Sequence, residues 1–107
     1  MNATPTISVD LSRCHEISLA ELPIIVGRGS EARVTVNDRW ASRQHCEIRQ
    51  VEGTIVVRDL GSSHGTYVNG ENIDQRTLQS GDRLGVGLTS FITTLDDHAV
   101  TLVASAS

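Results

Sequence analysis

The chain has 107 residues, enough for one domain with a single hydrophobic core but short for a nucleotide-dependent enzyme fold. Hydrophobic residues make up 38% and charged residues 21%, as in ordinary soluble domains, and no apolar run approaches the roughly 18 residues of a membrane span. The net charge is −4, and this acidic balance argues against a nucleic-acid-binding protein, although five Arg against three acidic residues give residues 28–49 a local charge of +2.

Short strand patterns follow one another along the whole chain. Apolar and polar residues alternate in some segments and β-branched residues cluster in others, whereas no segment has a sustained helical period. The predicted strands cover residues 7–11, 34–36, 46–49, 54–57, 84–88, 91–94 and 100–103. Turn residues at Glu52-Gly53, Asn69-Gly70 and Ser80-Gly81-Asp82 separate them at hairpin spacing. This pattern predicts an all-β sandwich whose loops at one end form the natural binding surface.

The chain start and the cysteines indicate a reducing compartment. The first residues lack a basic segment followed by an apolar one, so we expect no secretory signal and a cytoplasmic location. Cys14 and Cys46 have neither C-x-x-C nor zinc-knuckle spacing, which favours reduced thiols. A metal site would require the pairs Cys14-His15 and His45-Cys46 to converge, and burial of Cys46 on a strand is the favoured interpretation. We predict no metal and no cofactor.

Three separate loop motifs are rich in hydroxyl groups and arginine. They are Gly27-Arg28, Ser42-Arg43-Gln44-His45 and the segment Gly61-Ser62-Ser63-His64-Gly65-Thr66. The planar guanidinium of Arg matches a phosphate face with two donors, and Ser or Thr hydroxyl groups and loop N–H groups complete the set. Together the motifs predict a receptor for phosphate.

Two enzyme-like patterns occur in the same loops. Residues 61–65 satisfy G-x-S-x-G, but a nucleophile elbow requires a strand-to-helix turn, and a hairpin is predicted to follow instead. Residues 27–32 match the dinucleotide fingerprint, yet the next residues are β-branched where a phosphate-binding helix should begin. We therefore predict a protein that is not an enzyme.

Four motifs in register carry a family resemblance. Residues 24–28, 42–45, 59–70 and 80–87 resemble the forkhead-associated (FHA) domain in order and spacing, and the match extends over about residues 7–104. The resemblance implies an eleven-stranded antiparallel β-sandwich, here a single domain over 1–107 with short flexible tails. It also implies binding of phosphothreonine-containing partner proteins in Ser/Thr kinase signalling through the end loops. We further expect a monomer that binds neither nucleic acid nor membranes.

Five residues occupy the ligand-contacting positions of the family. Arg28 resembles the arginine that contacts phosphate and peptide, Ser42 the hydroxyl that bonds the phosphate, and Arg43 a second phosphate donor. Ser63 occupies a position whose side chain or N–H reaches the phosphate. His64 stands where the family most often has an asparagine that pairs with the ligand backbone, and histidine keeps both donor and acceptor capacity.

A second group resembles the residues that shape and brace the loops. These are Gly27, His45, Gly65, Thr66 and Asn69. For His45 we favour a buried structural role over phosphate contact, because buried polar rings are normally satisfied by neighbouring groups.

Trp40 and the choice of ligand leave alternatives open. Trp40 either packs in the core or forms an exposed platform for peptide side chains after the phosphothreonine, and an exposed Trp40 would also permit self-association. The alternative function is a phosphate-independent protein interaction module on the same β-sandwich. This interpretation stays open because His64 replaces the asparagine that the family most often has.

Overall fold

A computed structural model describes residues 14–105, which form eleven strands in two facing sheets. The strands are β1 Cys14–Ser18, β2 Ile24–Gly27, β3 Val34–Thr35, β4 Cys46–Val51, β5 Thr54–Asp59, β6 Thr66–Val68, β7 Glu71–Ile73, β8 Gln75–Thr77, β9 Arg83–Val86, β10 Thr89–Leu95 and β11 Ala99–Ser105. A single 3₁₀ turn, Leu19–Glu21, follows β1. Within 14–105, no helical segment has the length and apolarity needed to cross a membrane.

The sheets have six and five strands. The first has the order β1-β11-β10-β9-β6-β7 and the second the order β3-β2-β4-β5-β8. All pairings are antiparallel except that of β2 with the two-residue strand β3, which is parallel. The predicted eleven-stranded β-sandwich is therefore confirmed, with one short parallel pair that the prediction did not include.

The predicted strands that fall on described residues are present, but their bounds differ. β3 ends at Thr35, one residue before its predicted end, and β4, β5, β10 and β11 extend beyond their predicted bounds. The segment 7–11 lies outside the described residues, and the predicted strand over 84–88 ends at Val86. Leu88 is 74% exposed in the turn between β9 and β10, where Gly87 has a φ of 65°. The alternation of apolar residues and glycine continues past the end of β9 into the hairpin turn, and for this reason the predicted strand was two residues too long.

The core lies between the two sheets. Its fully buried side chains come from β1, β2, β3, β4, β5, β6, β9, β10 and β11. Phe91 is the largest of them. The same layer contains Ile17, Ile48, Leu84 and Leu102. In β6, β9 and β10 buried residues alternate with more exposed ones, as the period-two pattern predicts for half-buried strands, whereas β5 has three consecutive buried residues.

Strand register brings three loops to one end of the sandwich. Val26 of β2 pairs with Cys46 of β4, which in turn pairs with Asp59 of β5. The chain leaving β2, the chain entering β4 and the chain leaving β5 therefore emerge side by side. These are the segments that hold the three loop motifs of the sequence.

Candidate functional site

The first loop lies directly against the second. The Arg28 N–H donates to the Ser42 carbonyl at 2.9 Å, and the Gly29 N–H donates to the Arg43 carbonyl at 3.1 Å. A Cβ atom on Gly27 would lie 2.8 Å from the Ser42 carbonyl oxygen and closer still to that of Arg43. Only glycine permits this approach of two backbones.

The Arg28 side chain is exposed and directed along the second loop. Its Nε donates to the Ala41 carbonyl at 3.0 Å, which fixes the plane of the guanidinium. Within residues 14–105 this is its only side-chain hydrogen bond, and the guanidinium is in no ion pair. The two terminal amino groups are therefore available to an anion.

Ser42 joins the second loop to the third. Its Oγ accepts a hydrogen bond from the Ser63 N–H at 3.0 Å. This bond uses only a lone pair of the oxygen, so the hydroxyl hydrogen can be donated to a further acceptor. The hydroxyl of Ser42 and the exposed Ser63 thus lie together, and the backbone contact described above places Arg28 beside them.

The buried ring of His45 links the same two loops from the interior of the protein. Its Nδ1 accepts the Ser42 N–H at 3.0 Å, and its Nε2 lies 2.9 Å from the Gly65 carbonyl oxygen. The ring must therefore carry its proton on Nε2 and donate it to Gly65. With no exposed surface and both nitrogens engaged, His45 supports the loops and is not placed to contact a ligand.

Asp59 organises the third loop, a role that the sequence motifs did not single out. Its Oδ1 accepts the hydroxyl groups of Ser62 and of buried Thr66, the latter at 2.7 Å. Its Oδ2 accepts the N–H groups of Gly61 and Ser62 at 3.0 and 3.2 Å. Burial raises the pKa of this carboxyl, but the four hydrogen bonds outweigh burial and hold the pKa below its usual value.

Arg43 lies against both Gly27 and Gly29. The side chain is exposed beside a surface cavity of about 380 Å³ that is also lined by Gly29, Ser30, Glu31 and Gln44. In the described part of the chain Arg43 forms no ion pair with Glu47 or Asp59, and Glu47 pairs instead with Arg49 at 3.6 Å.

His64 and Trp40 meet at the exposed rim of the loops. Their ring centroids lie 4.7 Å apart with an angle of 81° between the planes. Trp40 is 44% exposed, so it is not a core residue. The backbone N–H of Trp40 donates to Asp38 Oδ1 at 2.8 Å.

Asn69 does not belong to this cluster. Asn69 and Gly70 have φ angles of 53° and 84° and form the two-residue turn of the β6–β7 hairpin, as their sequence predicts. The Asn69 side chain bonds Asp82 Oδ1 and the Arg83 N–H, each at 3.0 Å. Asn69 therefore braces the turn beside β9, whereas Gly65 and Thr66 lie in the loop cluster.

The resulting surface suits a phosphorylated ligand. One end of the sandwich is lined by a serine hydroxyl group, the residues around Ser63 and two exposed guanidinium groups that form no ion pair with any described residue. Charge-assisted hydrogen bonds from such groups to phosphate oxygens are about twice as strong as neutral ones. Among residues 14–105, His, Cys, Asp and Glu side chains form no group of three that could hold a metal ion.

Comparison with known proteins gives a consistent family match. A family model described as the FHA domain matches residues 24–87. An oxoglutarate dehydrogenase inhibitor of Corynebacterium efficiens is 43% identical over 61 residues, which cover 57% of this chain and 43% of that protein. The FHA domain-containing protein FhaA of Mycobacterium tuberculosis is 32% identical over 87 residues, which cover 81% of this chain and 16% of that protein. The chain spans less than half the length of these curated relatives.

Solved structures share the fold. The FhaA FHA domain complexed with the intracellular domain of Rv3910 has a TM-score of 0.59 at 30% identity, over 75% of this chain and 77% of that one. A structure from a structural and functional analysis of phosphothreonine-dependent FHA domain interactions has a TM-score of 0.59 at 27% identity, over 78% and 76%.

Proposed function

The chain belongs to the FHA domain family, and we propose that it is a phosphopeptide-binding module that recognises phosphothreonine in partner proteins of Ser/Thr kinase signalling. The observation that carries the proposal is the convergence of Arg28, Ser42 and Ser63 at one end of the sandwich, with the guanidinium free of acidic partners within 14–105. The structure from work on phosphothreonine-dependent FHA domain interactions supports the choice of ligand.

In the proposed mechanism the phosphate enters a site that exists before binding. Phosphothreonine brings a charge of about −1.5 to −2 and three acceptor oxygens, which unmodified threonine lacks. Arg28 and Arg43 donate to these oxygens, and the Ser42 hydroxyl and Ser63 complete the set. His64 contacts the ligand backbone beside the phosphothreonine. The selectivity for the phosphorylated form follows from these charge-assisted bonds.

Further parts of the proposal concern the whole chain. We place residues 1–107 in a single domain that acts in the cytoplasm as a monomer, with no enzymatic activity and no nucleic-acid ligand. The complex of the FhaA domain with an intracellular domain supports an intracellular role for that relative. The acidic net charge of −4 is unfavourable for nucleic acid. Sedimentation tests the monomeric state, and a nucleic-acid binding assay tests the absence of that ligand.

The decisive experiment is a titration of an oriented phosphothreonine peptide library, with the dephosphorylated library as the control. Calorimetry on the selected peptide then compares the wild type with Arg28→Ala. Each hydrogen bond to a charged group contributes about 1.5–3 kcal/mol, so the variant should bind roughly ten- to 150-fold more weakly. Arg58→Ala removes the same charge from an exposed position of β5 and should leave the affinity unchanged.

Two outcomes would contradict the proposal. Equal binding of both libraries would indicate the phosphate-independent interaction module instead. Unchanged affinity of Arg28→Ala, with an unchanged folded spectrum, would remove Arg28 from the site. A phosphoserine version of the selected peptide tests the family preference for phosphothreonine and should bind more weakly.

A further inference from the structure

The contact between Trp40 and His64 is an aromatic pair outside the hydrophobic core. The centroid distance of 4.7 Å and the angle of 81° are those of an edge-to-face pair. Both side chains are exposed, and Trp40 is not among the residues of the core cluster. Burial in the core therefore does not account for the position of Trp40.

The backbone of Trp40 is fixed by Asp38. One carboxylate oxygen accepts the Trp40 N–H at 2.8 Å, and the other accepts the Leu88 N–H at 2.6 Å and the Thr89 hydroxyl at 2.9 Å. Asp38 thus joins the loop before β4, a strand of the five-stranded sheet, to the turn between β9 and β10 of the six-stranded sheet. Because Thr89 is the first residue of β10, the Asp38 carboxylate anchors the backbone of Trp40 to a strand of the other sheet.

The ring of His64, in contrast, has no hydrogen-bond partner within 14–105. Its backbone position follows from the neighbouring Ser63, whose N–H is bound by Ser42. The remaining freedom is rotation of the side chain, and the only ring contact that restricts it in the described residues is the one with Trp40. A histidine that must contact a ligand backbone needs this rotation to be limited.

We propose that Trp40 is a positioning residue that acts through His64. The indole holds the imidazole in one orientation at the rim of the phosphopeptide loops, where the family most often has a shorter asparagine. This inference rests on the proposed function, because it assigns the orientation of one residue of that same site. It assigns to Trp40 a role different from a direct contact with ligand side chains.

A double-mutant cycle tests the proposal. Calorimetry with the selected phosphothreonine peptide compares Trp40→Ala, His64→Ala and the double variant with the wild type. An aromatic pair of this kind corresponds to a factor of about two to ten in affinity, so Trp40→Ala should weaken binding by that factor. The double variant should bind no more weakly than His64→Ala alone, because Trp40 has nothing to position once the imidazole is gone.

Conservative and matched variants complete the design. Trp40→Phe keeps an aromatic edge beside His64 and should restore most of the affinity lost in Trp40→Ala. Leu88→Ala removes an exposed apolar side chain whose backbone is bound to the same Asp38, and should leave the affinity unchanged. Trp40 is the sole tryptophan, so its emission should change when the peptide binds the wild type and change less in His64→Ala.

Two results would overturn the inference. If Trp40→Ala weakens binding by the same factor in the His64→Ala background, Trp40 contacts the ligand independently. If Trp40→Ala binds as the wild type does, the pair has no role in recognition. Failure of the proposed function is a separate result, because the wild type itself would then show no preference for the phosphorylated peptide.

Discussion

Asp59 is the residue on which the conformation of the third loop depends most directly. Its carboxylate accepts two hydroxyl groups and two backbone N–H groups within seven residues of chain. Asp59→Asn replaces one acceptor oxygen with an NH2 group, which cannot accept the hydrogen bonds made there, so hydrogen bonds are lost whichever oxygen is replaced. We expect urea unfolding to show a loss of about 2–3 kcal/mol. Asp97→Asn, at an exposed position of the β10–β11 turn, is the control and should be near neutral.

The pH dependence of stability should identify the same carboxylate. The pKa of Asp59 in the folded protein lies below its usual value, so the unfolded chain takes up the proton first as the pH falls. The stabilisation is fully present above the unfolded pKa of about 3.9 and is lost as the pH falls through the lower folded pKa. The difference in unfolding free energy between the wild type and Asp59→Asn should therefore shrink below about pH 4. A difference that is constant from neutral to acidic pH would contradict this assignment.

The two cysteines should differ in reactivity. Burial raises the pKa of the Cys46 thiol to about 12, and the nearby charge of Asp59 contributes in the same direction. Cys14 is only partly buried on β1. Because the thiolate is the nucleophile, iodoacetamide should modify Cys14 in the folded protein and Cys46 only in denaturant. Mass spectrometry of the alkylated protein measures this, and equal labelling of both in the native state would be the contrary result.

At the scale of elements, the end of β2 at Gly27 lies directly against the second loop at Ser42 and Arg43. Gly27→Ala would place a methyl group against two backbone carbonyl groups, which cannot move aside as a side chain can. The second loop should shift away from β2, with a loss of stability of about 1–3 kcal/mol and weaker phosphopeptide binding. Gly29→Ala, whose Cβ would lie 3.1 Å from the Arg43 carbonyl oxygen, should have a smaller effect. Equal effects in calorimetry and thermal unfolding would show that close approach is not the reason for glycine at position 27.

The sequence predicted the long strands and the tightest turns. Glu52-Gly53 and Asn69-Gly70 form two-residue hairpin turns with positive φ, as their residue types indicate. The strands β6, β7 and β8 have three residues each, too few for a period of two to be recognisable. β1 was missed because its charged and polar residues alternate with few apolar ones.

The site was only partly predictable for a different reason. The loop motifs depend on residue type, which the sequence displays, whereas the anchors Asp38 and Asp59 depend on contacts between distant segments. Asp38 bonds Leu88 and Thr89, some 50 residues away. A local signal did exist, because Asp often accepts the N–H two residues on, as both do here for Trp40 and Gly61.

At the scale of the whole molecule, charge is divided unevenly. The loop-bearing segment 28–49 is locally positive in a chain of net charge −4. Raising the salt concentration from about 0.05 to 0.5 M shortens the Debye length from about 14 to 4 Å, so phosphopeptide affinity should fall several-fold. Arg28→Ala and Arg43→Ala should each reduce this salt dependence. Titrations over the same range that give the variants the slope of the wild type would place the electrostatic attraction elsewhere.

The link from the Ser63 N–H to the Ser42 hydroxyl, together with the bridge of His45, has a kinetic consequence. The loops are joined to one another before any ligand arrives, so an encounter with a phosphorylated chain requires no slow rearrangement of the receptor. Association should then proceed at rates typical of rigid partners, about 10⁵–10⁷ M⁻¹s⁻¹, and faster with electrostatic steering. Differences in affinity between ligands would then arise mainly from differences in residence time.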